Sequence, residues 1–169
     1  MGFPSKLKNM NLFGNGDSYL GIVSEVTLPT LTQTLLDWRG GGMLGPIAAD
    51  MGLERLELEF KLGGLTRNAL RSYGVADHAG LLTRFAGAYQ DDNSGRVLAA
   101  EATIMGRYSE VDFGTAKPGD DTEHTYTVVA SYYRLEVDGE EWFEIDLLGG
   151  IFRVFGQDRY AQIRAAIGA

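Results

Sequence analysis

The residues best placed to do chemistry in this chain are glycines. Gly40-Gly41-Gly42-Met43-Leu44-Gly45 satisfies the spacing G-x-G-x-x-G. With that spacing, a strand-to-helix turn cradles the pyrophosphate of a dinucleotide on helix N-terminal amides. The chemistry needs a βαβ unit around it. Here Pro46 follows and then a strand pattern, so no nucleotide site is expected, and no Gly-Lys-Ser/Thr completes a P-loop. His78 and His124 are the only histidines, and neither has metal-ligand spacing to the other. Both fall among polar turn or strand-start residues and are expected to be solvated. Asp91-Asp92 and Asp120-Asp121 lie in Gly-containing segments, where Asp forms turns more readily than it collects calcium. No serine sits in a nucleophile elbow. With no cysteine there is no thiol catalysis, no thiolate metal site and no disulfide. The expectation is a chain with no catalytic residues, no bound metal and no cofactor, and not an enzyme. The aromatic series Tyr126, Tyr132, Tyr133, Trp142, Phe143, Phe152, Phe155 and Tyr160 could suggest sugar binding, but it tracks strand periodicity and reads as packing.

The glycine segment has a second reading. Between Asp37 and Phe60 the chain carries Trp38, Met43, Leu44, Ile47 and Met51 among glycines that supply no packing surface. A solvated loop rarely displays that much apolar side chain, and exposed apolar patches mark contact sites. Trp38, Arg39, Gly40, Gly41, Gly42, Met43, Leu44, Gly45 and Pro46 are therefore read as an extended arm that is ordered against something else.

Composition sets the frame. The chain has 169 residues, enough for one domain with a real core. No run is long and apolar enough to span a bilayer. The first eleven residues lack the apolar stretch of a secretory signal, so synthesis in the cytoplasm is expected. Net charge is −8, and residues 110–146 hold eleven acids against Lys117 and Arg134. Such a chain is a poor nucleic-acid binder, because phosphate affinity comes from Lys and Arg releasing counterions.

Most of the periodicity has a repeat of two. Asn15-Gly16 reads as a tight hairpin turn before a strand over Tyr19–Leu28 that Pro29 stops. Leu53–Leu62 alternates, with Leu56, Leu58, Phe60 and Leu62 inward and Arg55, Glu57, Glu59 and Lys61 outward. Strands are expected over Leu81–Tyr89, Val97–Tyr108, His124–Val137 and Glu140–Ile145, the last two joined at Asp138-Gly139. That register puts Glu136 opposite Glu141 and Leu135 opposite Trp142, with Arg134 near enough to relieve the paired carboxylates. A short helix is expected between a Thr66 cap and Gly74, with Leu65 stapled to Leu70. A last helix is expected over Gln157–Ile167, with Tyr160, Ile163 and Ile167 on one stripe. The fold class is mainly β: a β-barrel or two packed antiparallel sheets, with one or two short helices at the edge and an extended inter-strand arm.

Several of these segments together resemble one family. The run Trp38-Arg39-Gly40-Gly41-Gly42-Met43-Leu44-Gly45-Pro46 followed by Asp50-Met51-Gly52-Leu53-Glu54 resembles the arm of the major tail tube proteins of contractile-tailed bacteriophages and R-type pyocins. Leu7–Phe13, Leu28-Pro29-Thr30-Leu31, Ser131–Gly139 and Glu144-Ile145-Asp146 resemble other parts of it, in the same order over nearly the whole chain. A third glycine, Gly42, stands where the family pattern has two, and is expected to loosen the arm. The resemblance implies a single tail tube domain over 1–169, with 30–50 an arm that contacts the adjacent ring. It implies stacked hexameric rings of this chain in a virion tail, with the sheath, baseplate or tip, terminator and tape measure proteins as partners. DNA would pass without specific binding, past Glu57 and Glu59, or members of the acidic block over 110–146, as candidates for the lumen wall. The alternatives are a type VI secretion-like tube protein and a monomeric carbohydrate-binding β-sandwich.

Overall fold

A computed structural model describes residues 2–169. The strands, in chain order, are β1 (Lys6–Gly14), β2 (Asp17–Ser18), β3 (Val23–Thr27), β4 (Gln33–Trp38), β5 (Ile47–Leu53) and β6 (Leu56–Leu62), then, after the short helix α1 (Arg67–Leu70), β7 (Leu81–Gln90), β8 (Val97–Asp112), β9 (His124–Val137), β10 (Glu140–Asp146), β11 (Ile151–Val154) and β12 (Gln157–Asp158). Helix α2 (Ala161–Ala166) follows. All pairings are antiparallel. The main sheet runs β12-β11-β10-β9-β8-β7-β1-β2.

It forks at Ser131. His124–Ala130 of β9 pairs with β6, which carries β3 on its other edge, while Tyr132–Val137 pairs with β10. Strand β8 accompanies both halves of β9 by shifting register at Met105/Gly106 and again at Tyr108/Glu110. Gly106 permits the first shift, since a Cβ there would run into the Val129 carbonyl oxygen. Bulges of this kind bend a strand and increase its twist.

The bend wraps the sheet around one core. Leu56, Leu58, Phe60 and Leu62 are all buried, as the alternation of β6 requires. Phe60 stacks on Tyr126 (centroids 5.1 Å) and, less closely, on Tyr19 (6.2 Å). Leu12 of β1 belongs to the same cluster, so strands from both margins of the sheet share one interior. The expected closed barrel does not form among the described residues, because no strand pair joins β2 to β3. A turn crosses that gap, with the Ile22 and Val23 amides donating to the Tyr19 carbonyl and the Gly63 amide to that of Ile22.

Several sequence expectations need correction. The strand read over Tyr19–Leu28 is a turn followed by β3. The single strand read over Leu53–Leu62 breaks at Glu54-Arg55, where the chain leaves one sheet for the other. Thr66 has the extended backbone of a cap but makes no side-chain cap bond, and Leu65 is exposed instead of stapling to Leu70. The last helix is shorter than expected: Gln157-Asp158 pairs with β11, and Ile163 and Ile167 face outward. His124 is buried, with its ring edge-on to Phe113 (5.2 Å). The β9–β10 hairpin holds its register to Glu136 opposite Glu141, after which a bulge puts Phe143, not Trp142, opposite Leu135. Arg134 does reach Glu136 (3.3 Å), and Arg153 takes Glu141 (3.5 Å) and Glu144 (2.6 Å).

Candidate functional site: an uncovered apolar hairpin

Strands β4 and β5 form a sheet of their own, the physical form of the arm read over residues 30–50. Directly paired residues share a face. Leu36 with Ala49 and Trp38 with Ile47 therefore make one entirely apolar face, and Leu35 with Asp50 and Asp37 with Ala48 make the other. Among the described residues nothing covers the apolar face. Trp38 is 62% exposed, Ile47 59%, Leu36 56%, and Leu44 at the tip 99%. Isolated two-stranded hairpins are marginal in water, so this one lacks the burial that would justify its composition.

The tip is nonetheless specific. Among residues 38–49 Arg39 is the only charged one, and among the described residues its Nε–H reaches only the Met43 carbonyl (3.4 Å). The Gly40 amide donates to Met43 Sδ (2.9 Å), and the Met43 amide to the Gly40 carbonyl (3.2 Å). Gly42 closes that turn at φ +82°, a conformation L side chains resist. The third glycine is thus a turn residue. No helix follows Gly45, so the dinucleotide fingerprint sits on a strand–turn–strand.

At its root the hairpin is closed across its own two strands, and Leu53 packs against the core. The Glu54 amide donates to the Thr32 carbonyl (2.8 Å). A cleft of about 180 Å³ separates Gln33, Asp50 and Leu53 from Ile145, Phe152 and Tyr160 at the far end of β10 and on the segment after it. Gly52 at φ +106° and the register shift between Gln33 and Leu35 turn the two-stranded ribbon as it leaves. Arg164 ties α2 beside this root, donating to Asp158 (2.7 Å) and to the Gly150 carbonyl (2.9 Å), and holds the Asp158 carboxyl below its ordinary pKa.

Glu57 and Glu59 lie away from the hairpin tip, on the outer face of β6. They border a shallow groove with Thr27, Thr30, Thr32, Arg55 and Thr127. Arg55 approaches Glu57 (3.4 Å), and Lys61 beyond them lies between Glu25 (3.4 Å) and Glu123 (3.3 Å). Of the aromatic series, Tyr126 and Tyr133 are core residues, and Tyr132 donates to Glu144 Oε2 (2.6 Å). Trp142 and Phe155 pair on the surface with centroids 5.7 Å apart. Among the described residues no group of three or more His, Cys, Asp or Glu side chains is placed to hold a metal ion.

The family model of phage tail tube protein FII matches residues 4–168. The chain belongs to that family. It is 43% identical to the tail tube protein of Escherichia phage P2 over 99% of both chains. It is 36% identical to the major tail tube protein of Serratia phage KSP20, over 99% of this chain and 98% of that one. The fold is also found among solved structures. The sheath/tube terminator of the PVC extracellular contractile injection system superposes with a TM-score of 0.55 at 8% identity, covering 76% of this chain and 94% of that one. The sheath–tube complex of the same system gives a TM-score of 0.54 at 8% identity, covering 76% and 88%. This tail tube protein is a structural component of the virion tail, and its family membership leaves the carbohydrate-binding alternative without support. The hairpin tip carries the exposed apolar residues that the sequence singled out. The surface aromatic pair Trp142–Phe155 was read only as packing.

Proposed function

We propose that the chain is the inner tube subunit of a contractile tail, built from hexameric rings that stack as the β4–β5 hairpin of one copy reaches a copy in the next ring. The observation that supports this most is the uncovered face of Leu36, Trp38, Ile47 and Ala49, with Leu44 beyond it. A soluble monomer gains nothing from such a face, whereas a head-to-tail interface buries it once per copy and repeats along an axis. Trp38 through Pro46 are the inter-ring residues in this reading, on a single domain over 1–169. The curled sheet serves as an open barrel, its gap bridged by the Tyr19–Ile22 turn.

Assembly takes place in the host cytoplasm. The sheath surrounds the tube, the baseplate or tip starts it, a terminator ends it, and the tape measure protein occupies the lumen until DNA passes. Glu57 and Glu59 line that lumen, where acidic side chains repel phosphate and let the polymer slide. Amide hydrogen exchange on free subunits and on tubes tests the arm. Residues 36–47 become protected only in the tube. Equal protection in both states refutes the reading.

A further inference from the structure

The main sheet has an apolar opening that the core does not fill. It is a concavity of about 290 Å³ lined by nine residues, among them Leu28, Phe85, Tyr89, Leu98, Val137 and Trp142. Only Ser5, Tyr89 and Trp142 among the nine carry polar side-chain atoms. The mouth lies where β7 ends, β8 begins and β9 turns at Asp138-Gly139 into β10. Its aromatic rim is held at some cost. Phe155 occupies the left-handed region at φ +46°, rare for a bulky residue, and its ring lies against Trp142. Glu140 pairs directly with Val137, so it stands on the same face of the sheet as the mouth. Among the described residues it makes no ion pair.

We propose that this mouth receives the hairpin tip of a copy in the next ring, with Leu44 and the edge of Trp38 entering the concavity and Arg39 meeting Glu140. The proposal rests on the stacked-ring reading and names the receptor surface that reading leaves open. Three observations converge on a second copy as the occupant. The tip is apolar with one cation, and among the described residues that cation has only a carbonyl partner. The mouth is apolar with one carboxylate at its rim that is free among the described residues. The cleft at the hairpin root borders Ile145, near the C-terminal end of β10, and its β11 partner Phe152, while the mouth takes Trp142 from the same strand, roughly 10 Å away at the rise of an extended strand. A copy does not fill its own mouth, since Leu44 is almost fully exposed. Tip and receptor are two different surfaces of one chain, so their contact is heterologous and propagates along an axis instead of closing as a dimer.

The chain has no cysteine, so engineered pairs report without background. Leu44→Cys and Leu98→Cys are placed in one chain and tubes are oxidised. A ladder of covalent multimers on a non-reducing gel is expected, and Leu44→Cys combined with Leu65→Cys, away from the mouth, gives none. Tubes that form without the Leu44/Leu98 ladder overturn the receptor assignment and leave the arm reading standing. Tubes that still form after residues 39–46 are replaced by a short Gly-Ser turn overturn the arm reading itself. Charge exchange supplies the second arm: Arg39→Glu and Glu140→Arg each abolish tube formation, and the two together restore it. A double variant as defective as the singles, with subunits that melt normally, contradicts the Arg39–Glu140 contact.

Discussion

Replacing Trp38 by Ala separates the two roles that an exposed tryptophan can have. In the free subunit Trp38 is 62% exposed, so of the roughly 200 Å² that such a ring can bury, about 120 Å² is still open to a partner. At ~25 cal/mol per Å² that surface contributes about 3 kcal/mol when a neighbouring ring covers it. The loss falls on assembly. A single contact weakened by that amount raises the subunit concentration needed for stacking by about a hundredfold. The same substitution barely touches the isolated subunit, where exposed positions shift stability by about 0.5 kcal/mol or less. Thermal melting of dilute subunits and sedimentation of concentrated ones measure the two quantities on the same preparation. The expected result is an unchanged melting temperature and a large rise in the concentration at which tubes pellet. A clear fall in subunit melting with tube formation intact would refute the reasoning, because Trp38 would then be holding its own hairpin together.

Other outcomes follow from the body of the fold. Gly106→Ala drives a Cβ into the Val129 carbonyl at the fork of the sheet and lowers unfolding free energy by about 1–3 kcal/mol or more, read by urea titration. Burial pushes the hydroxyls of Tyr19 and Tyr133 up to about 12, with Asp17 adding to the effect on Tyr19. These groups keep their protons in the fold at pH values where the unfolded chain loses them, so their contribution is complete below about pH 10 and is lost as pH rises toward 12. Melting temperature falls across that window, and Tyr19→Phe reduces the fall. Glu57→Lys with Glu59→Lys leaves tubes intact but slows DNA release from phage carrying them, most strongly at low salt. Unchanged release kinetics would remove these two residues from the lumen wall.

The parts of the fold written in local chemistry were readable in the sequence. The inward set Leu56, Leu58, Phe60 and Leu62 is the buried face of β6, because alternation alone decides which side of a strand meets the core. Asp138-Gly139 fixes the β9–β10 hairpin because both positions need positive φ and those residues accept it. Phe155-Gly156 makes a third turn of this kind and went unread, since nothing about phenylalanine advertises a left-handed backbone. The same gap extended the last helix backward over Gln157-Asp158, which the turn delivers to β11. The bulge at Trp142 and the fork at Ser131 depend on partners far along the chain, and no local pattern encodes them. His124 looked like a strand-start surface residue, and only the path of Phe113 buries it. The arm was legible because its composition is wrong for a loop. Its receptor was not, because Leu28, Leu98 and Trp142 come together only through the curl of the sheet.

The most direct measurement is a high-resolution reconstruction of assembled tubes by electron cryomicroscopy. The account predicts hexameric rings in which the apolar face of β4–β5 is buried against the next ring, Leu44 lies beside Leu98 and Trp142 of a neighbouring copy, and Glu57 and Glu59 face an acidic lumen. A map showing the hairpin solvent-exposed on the outer wall, with rings held together by other surfaces, would contradict it.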